Sequence, residues 1–410
     1  MTTLLFTDVR VFDGESDTLQ EGPVVVRDGR IVAVGPGSDD QVDGSVERIE
    51  GRGRTLLPGL IDAHFHAYAV SLDMMENETR LLSYVAHVAS QRLGRALSRG
   101  FTTVRDVAGG DAGLAAAIRE GFFPSPRYLY TGAALSQTGG HGDPRSADLE
   151  TDLCGGHSTE VVDGVDDLRR AVRERFRTGA HAIKVMTSGG VISPVDPLRI
   201  PQYSPDELTA VSEEATRRGS YVAAHAYSPE AIVHSVTHGI HTIEHGNLLD
   251  EPTAALMAEH GAFLVPTLAT YAAMDRHGLD LGMPEVARAK NAEVLDAGQR
   301  AVEIALRAGV RVGFGTDLMG SLETEQLTGL RLQAEAVGAH QTLRSATSVN
   351  ADLIGRPDLG RIAAGAVADL LLVEGDPLAD INTLADPDAA REIWQGGVLR
   401  STDALTNRHG

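Results

Sequence analysis

Of the 36 basic residues in this chain of 410, 34 are arginine and two are lysine. One of the two, Lys184, sits in the apolar run Ala182-Ile183-Lys184-Val185-Met186, ahead of Thr187-Ser188-Gly189-Gly190. Arginine serves any ordinary surface cation, but a guanidinium stays protonated, whereas an ε-amine can lose its proton and react. An amine at a strand end can take up CO2 and become a carbamate, whose two oxygens can bridge two metal ions. Lys184 alone would read better as a lysine snorkelling from a strand. Its companions change that reading. His64-Phe65-His66 lies upstream, and His225, His245 and Asp317 lie downstream, each closing a short apolar run. A strand's period of two puts the His64 and His66 imidazoles on one face, where both can meet one ion. A lone H-x-H is weak evidence; the ordered series with a lysine inside it reads as a metal-ligand set.

Those residues need elements that bring them together. From Leu56 onward, eight apolar runs alternate with mostly helix-patterned stretches: 56–64, 101–106, 127–132, 180–186, 220–225, 240–245, 262–266 and 310–317. This rhythm predicts an α/β fold, a (β/α)8 TIM barrel over 58–365. Active sites of such barrels lie at the C-terminal strand ends, and the six residues fall at the ends of runs 1, 4, 5, 6 and 8. Before the barrel, short β-patterned runs alternate with turns, and Asp28-Gly29 reads as a hairpin turn between Val24-Val25-Val26-Arg27 and Arg30-Ile31-Val32-Ala33-Val34. After helix-like stretches at 323–338 and 342–354, β patterning returns in Ala368-Asp369-Leu370-Leu371-Leu372-Val373 and Glu392-Ile393-Trp394. Residues 1–57 and 366–410 are therefore expected to pair in a small β-sandwich outside the barrel.

Composition narrows the partners. A formal net charge of -21 argues against nucleic acid or an anionic membrane, either of which would need a basic face. A single cysteine, Cys154, excludes an intrachain disulfide framework. The opening Met1-Thr2-Thr3-Leu4-Leu5-Phe6-Thr7-Asp8 has no basic n-region, and no apolar run approaches membrane-spanning length, so a cytoplasmic enzyme with a small-molecule substrate is expected.

The motifs Pro58-Gly59-Leu60-Ile61-Asp62-Ala63-His64-Phe65-His66, Lys184, His225, Glu244-His245-Gly246 and Gly315-Thr316-Asp317 resemble the amidohydrolase superfamily, in its binuclear branch with a carbamylated lysine. The resemblance implies that His64 and His66 bind one ion with Asp317, that His225 and His245 bind the other, and that carbamylated Lys184 bridges both. Gly139-Gly140-His141-Gly142-Asp143, the segment Ile183 to Val191, and His225-Ala226-Tyr227 look like the prolidase-like (Xaa-Pro dipeptidase-related) group of that superfamily. A homo-oligomer is an implication of the same likeness.

The ligand set by itself permits a definite chemistry. Two divalent cations lower the pKa of a bridging water, so that hydroxide is available near neutral pH, and one polarises a carbonyl. Asp317 is the candidate general base and acid, passing the water's proton to the leaving nitrogen. Zinc suits mixed nitrogen and oxygen ligands; manganese, cobalt or iron could fill the same set. The expected reaction is cleavage of the amide bond of dipeptides or N-acyl amino acids, a dipeptidase or carboxypeptidase-like activity. Hydrolysis of cyclic amides (imidazolonepropionase-like), of lactones or of phosphotriesters is the alternative. A mononuclear deaminase would not need the bridging Lys184, and a metal-free scaffold would not need six ligands.

Other signals carry less. His234 and His238 lie four apart on a helix pattern, but no Glu follows the first, so a packed or solvated face is the reading. Cys154 with His157 lacks a companion pair. Arg105-Asp106 ends run 2 at the same barrel face, consistent with either an ion pair or support for a metal ligand. Met74 and Met75 read as helix packing. The stretch 133–163 reads as a long loop that holds His141, which by resemblance faces the scissile carbonyl or a substrate carboxylate. Tyr227, two residues past His225, offers a phenol to the same carboxylate or packs the barrel mouth.

Overall fold

The computed structural model describes residues 3–38, 46–149, 151, 156–193 and 196–400; Cys154 lies outside them. The chain divides into two compact units. One holds Met1–Asp62, Gly94–Thr103 and Leu330–Gly410, the other Ala63–Leu93 and Val104–Gly329.

In the first unit, N- and C-terminal segments share one eight-stranded sheet. Thr3–Val11 runs parallel to Val46–Pro58, which pairs antiparallel with Leu370–Val373; that strand in turn pairs with Arg391–Gln395. The sheet buries Phe6, Val24, Leu56, Leu370 and Trp394 in one cluster, with Phe6 edge-on to Trp394 at 4.9 Å between ring centroids. The Asp28-Gly29 turn forms as the sequence predicts. Both residues have positive φ, 50° and 77°, the backbone that a tight two-residue hairpin requires between Val24–Arg27 and Arg30–Val34.

The second unit carries parallel α/β structure. Thr159–Val161, Ala134–Ser136, Ile183–Met186, Val222–Ala226, Thr242–His245, Phe263–Val265 and Arg311–Val312 form one sheet in that order, every pair parallel. Leu60–Phe65, Phe101–Asp106 and Arg127–Tyr130 form another sheet, and the first three residues of each of its first two strands are counted with the first unit. Backbone bonds continue beyond both: Ala63 N–H donates to Phe314 O at 2.9 Å, Asp317 N–H to His64 O at 2.8 Å and His181 N–H to Tyr130 O at 2.7 Å. Each of the eight sequence-predicted runs overlaps one of these strands. The last is shorter than expected, since after Val312 the chain continues to Asp317 without regular ladder pairing. The stretch 133–163 is a correction: it is not all loop, for Ala134–Ser136 and Thr159–Val161 are paired strands. Three residues apiece are too few to show a period.

The strands that carry the candidate ligands, Leu60–Phe65, Ile183–Met186, Val222–Ala226 and Thr242–His245, are buried along their whole length, as a parallel sheet covered on both faces requires. Three of their crossover helices start on a repeated device, an oxygen cap and a proline in the first turn. Ser204 caps Pro205–Arg217 in a full capping box with Glu207, Ser228 caps Pro229–Thr237, and Asp250 caps Glu251–Glu259. The helix stretches expected at 323–338 and 342–354 appear as Thr328–Arg344, kinked at Gly338, followed by a π-turn Ser345–Val349 and Asn350–Leu353. No helix among the described residues is long and apolar enough to cross a membrane.

Candidate metal centre

Because the strands run parallel, residues at their C-terminal ends come to one place. His64, His66, His141, Lys184, His225, Tyr227, His245 and Asp317 all line a single cavity in the second unit. The imidazoles follow one another around it, with centroid distances of 5.1 Å for His64 to His66, 4.8 Å for His64 to His245, 4.5 Å for His225 to His245 and 4.1 Å for His141 to His225. Ligand atoms of His64, His245 and Asp317 lie within 4.8 Å of one another. His245 and Asp317 both hold a left-handed backbone, φ 74° and 54°. Such a conformation is costly outside glycine and persists where the surroundings impose it. Gly315 allows the close approach beside them, since a Cβ there would meet His64 Cβ at 2.5 Å.

Three of the imidazoles have one ring nitrogen tied to the protein, as metal-ligating histidines do, and the Nε2 of His64 also lies 3.4 Å from Asp317 Oδ1. His64 Nδ1 bonds Glu244 Oε2 at 2.7 Å, His225 Nε2 bonds the Gly189 carbonyl at 3.1 Å, and His245 Nδ1 bonds Thr267 Oγ at 2.8 Å. His66 Nε2 lies 2.7 Å from Asp317 Oδ1. Burial holds the His225 and His245 imidazoles well below their ordinary range, which favours the neutral form that binds a cation. Burial would raise the Asp317 carboxyl, but His64 and His66 outweigh it and keep it well below the usual carboxylate range. Lys184 is 2 % exposed. Burial pulls its amine down to about 8, against the opposing pull of Glu244 and Asp317. The donor set of three oriented imidazoles, an ionised carboxylate and a buried amine fits divalent cations.

Of the supporting residues, Arg105 and Asp106 were singled out by sequence reasoning, while Glu244, Thr242 and Tyr271 were given no such role. Glu244 is fully buried and ion-paired to Arg105, whose Nη2 lies 2.7 Å from Oε1; Thr242 Oγ donates to the same oxygen at 2.6 Å. Arg105 also donates to the Ala63 carbonyl at 2.6 Å. It is thus both an ion pair and a support for His64, acting through Glu244. A glutamate in an apolar strand directly before a ligand histidine was the available signal. Asp106 braces the other side of the H-x-H, accepting from Ala67 N–H at 3.1 Å and Tyr128 hydroxyl at 2.7 Å. Tyr271 lines the cavity and bonds the Tyr227 hydroxyl at 2.9 Å; the tyrosine sits mid-helix, with no sequence cue. The packing reading of Met74 needs correction, because Met74 lines the cavity with Met186, Met274 and Met319. His234 and His238 bond the carbonyls of Tyr203 and His234, in keeping with a packed helix face.

Residues 55–399 match the amidohydrolase family. The sequence is 32% identical to ochratoxinase of Aspergillus niger over 413 residues, covering 94% of this chain and 84% of that one. A prolidase solved in complex with N-methylphosphonate-L-proline is 43% identical and superposes with a TM-score of 0.94, covering 97% of this chain and 99% of its own. An Xaa-Pro dipeptidase with methionine bound in its active site is 30% identical with a TM-score of 0.87, at 97% and 100% coverage.

Proposed function

Since this chain belongs to the amidohydrolase family, we propose that it hydrolyses the amide bond of dipeptides or N-acyl amino acids. The observation that carries the reading is the convergence of six candidate ligands on one cavity, with three imidazoles each tied back through one nitrogen. His64, His66 and Asp317 would hold one cation and His225 and His245 the other, with carbamylated Lys184 shared between them. Two divalent ions, zinc first among them, would supply an activated water and a polarised carbonyl. Asp317, with Oδ1 held by His66, would take the attacking water's proton and return it to the departing nitrogen. The backbone bonds from Ala63 to Phe314 and from His181 to Tyr130 support a closed (β/α)8 barrel over 58–365. Residues 1–57 and 366–410 would form the accessory β domain.

His141 and Tyr227 are proposed to read a free carboxylate adjoining the leaving nitrogen. Both line the cavity, and the prolidase and Xaa-Pro dipeptidase relatives support a substrate of that shape. The test is a library of dipeptides and N-acyl amino acids, each as free acid and as C-terminal amide, turned over by metal-loaded enzyme. Free acids should be preferred, and Tyr227→Phe should lower kcat/KM for them by roughly 10- to 150-fold, the loss of one hydrogen bond to a charged group. Equal turnover of acids and amides would overturn carboxylate recognition in favour of cyclic amides or lactones.

A further inference from the structure

We propose that Asp196 and Ser193 are positioning residues that fix the tautomer of His141, so that its Nε2 is the nitrogen offered to the cavity. Neither was singled out by sequence pattern, and neither lines the cavity. Ser193 Oγ lies 2.9 Å from His141 Nδ1, 3.2 Å from the Gly190 carbonyl and in short contact with Asp196 Oδ1. A serine hydroxyl has one proton to give. Two of its three neighbours are acceptors only: a carbonyl, and a carboxylate that already accepts from Gly190 N–H and Gln202 Nε2, each at 3.1 Å. The serine proton therefore goes to Asp196, the stronger acceptor, and among the described residues the one neighbour able to donate to Ser193 is the His141 ring. His141 must carry its hydrogen on Nδ1.

The loop that holds this relay is itself clamped. The ammonium of Lys290, the chain's second lysine, donates to the carbonyls of Gly190, Ser193 and Asp196 at 3.0, 3.1 and 2.8 Å. On the other side, His141 N–H bonds Gln202 Oε1 at 3.0 Å. Backbone and ring are thus held by Gln202 and Ser193, and the ring lies stacked on His225. A residue oriented this way is suited to meet substrate at one defined atom, which rests on the reading of His141 given above.

The test uses zinc-loaded, full-length enzyme with 15N-labelled histidine, the His141 ring signals being identified by their loss in His141→Gln. The wild type should show the Nδ1–H tautomer. Asp196→Asn supplies an amide that donates to Ser193 and turns the serine proton toward Nδ1, so the Nε2–H form should appear. Ser193→Ala should admit the same form and lower kcat/KM about 10- to 100-fold, as loss of an orienting partner does, with metal content unchanged. Ser193→Thr keeps the hydroxyl and should restore both readouts. A wild-type ring in the Nε2–H form overturns the proposal without need of any variant, as does a Ser193→Ala ring that keeps the Nδ1–H form. The tautomer is read without substrate, so a failure of the amidase assignment would appear separately, as absent turnover with the relay intact.

Discussion

Replacing Lys184 by alanine should strip metal and activity together. With two cations bound as proposed, an unmodified ammonium would stand beside both, whereas a carbamate would give them a negative bridge. Full metal occupancy and full turnover in Lys184→Ala would refute the bridge. Asp317→Asn separates two roles of one side chain: an amide oxygen can still ligate weakly but cannot accept and return a proton. Turnover should fall by about 10²- to 10⁴-fold while most of the metal is retained. Parallel loss of the two, followed by metal analysis and steady-state rates, would make Asp317 chiefly a ligand. At this scale the positions His64, His66, Lys184, His225, His245 and Asp317 were legible because strand periodicity and run ends are local properties. Glu244 and Ser193 were not, because their meaning lies in the partner each meets across the fold: Glu244 meets Arg105, 139 residues away, and Ser193 meets His141, 52 residues away.

The segment after Ile183–Met186 shows what an element without regular structure can impose. Gly190 has no room for a side chain, since a Cβ there would stand 2.0 Å from the His141 ring. Gly190→Ala should push that ring or the loop aside, costing about 1 to 3 kcal/mol of stability as overpacking does. Its effect on kcat/KM should exceed its effect on metal content, since no candidate ligand lies on the displaced loop. Unchanged kinetics in a folded Gly190→Ala protein would show that the loop yields freely. The strands were readable from their apolar runs. The short strands Ala134–Ser136 and Thr159–Val161 were not. Their pairing is decided by neighbours such as Val185, which faces Leu135 in register, and three residues carry no pattern of their own.

At the scale of the whole molecule, His241 is one contributor to acid stability that lies away from the candidate metal ligands. Burial, helped by Arg311 and Arg105, pulls the His241 imidazole from its ordinary value of about 6.5 down to about 4, in a cluster with Tyr221 and Phe263. Between those values the unfolded chain binds a proton that the folded chain refuses, so stability falls as pH drops through the window. His241→Phe should flatten the slope of unfolding free energy against pH there by up to about one proton, read from denaturant titrations at several pH values. A slope unchanged from wild type would remove His241 from that role. The scarcity of lysine reaches further. Lys184 is buried and the Lys290 ammonium is engaged by three carbonyls, so no lysine of this chain offers a freely exposed amine. Acylating labels and amine cross-linkers should find little on the folded protein beyond an N-terminal amine, leaving a nearly uniform, singly tagged product by intact mass. Amine-coupled immobilisation would then tether every copy at one end and in one orientation.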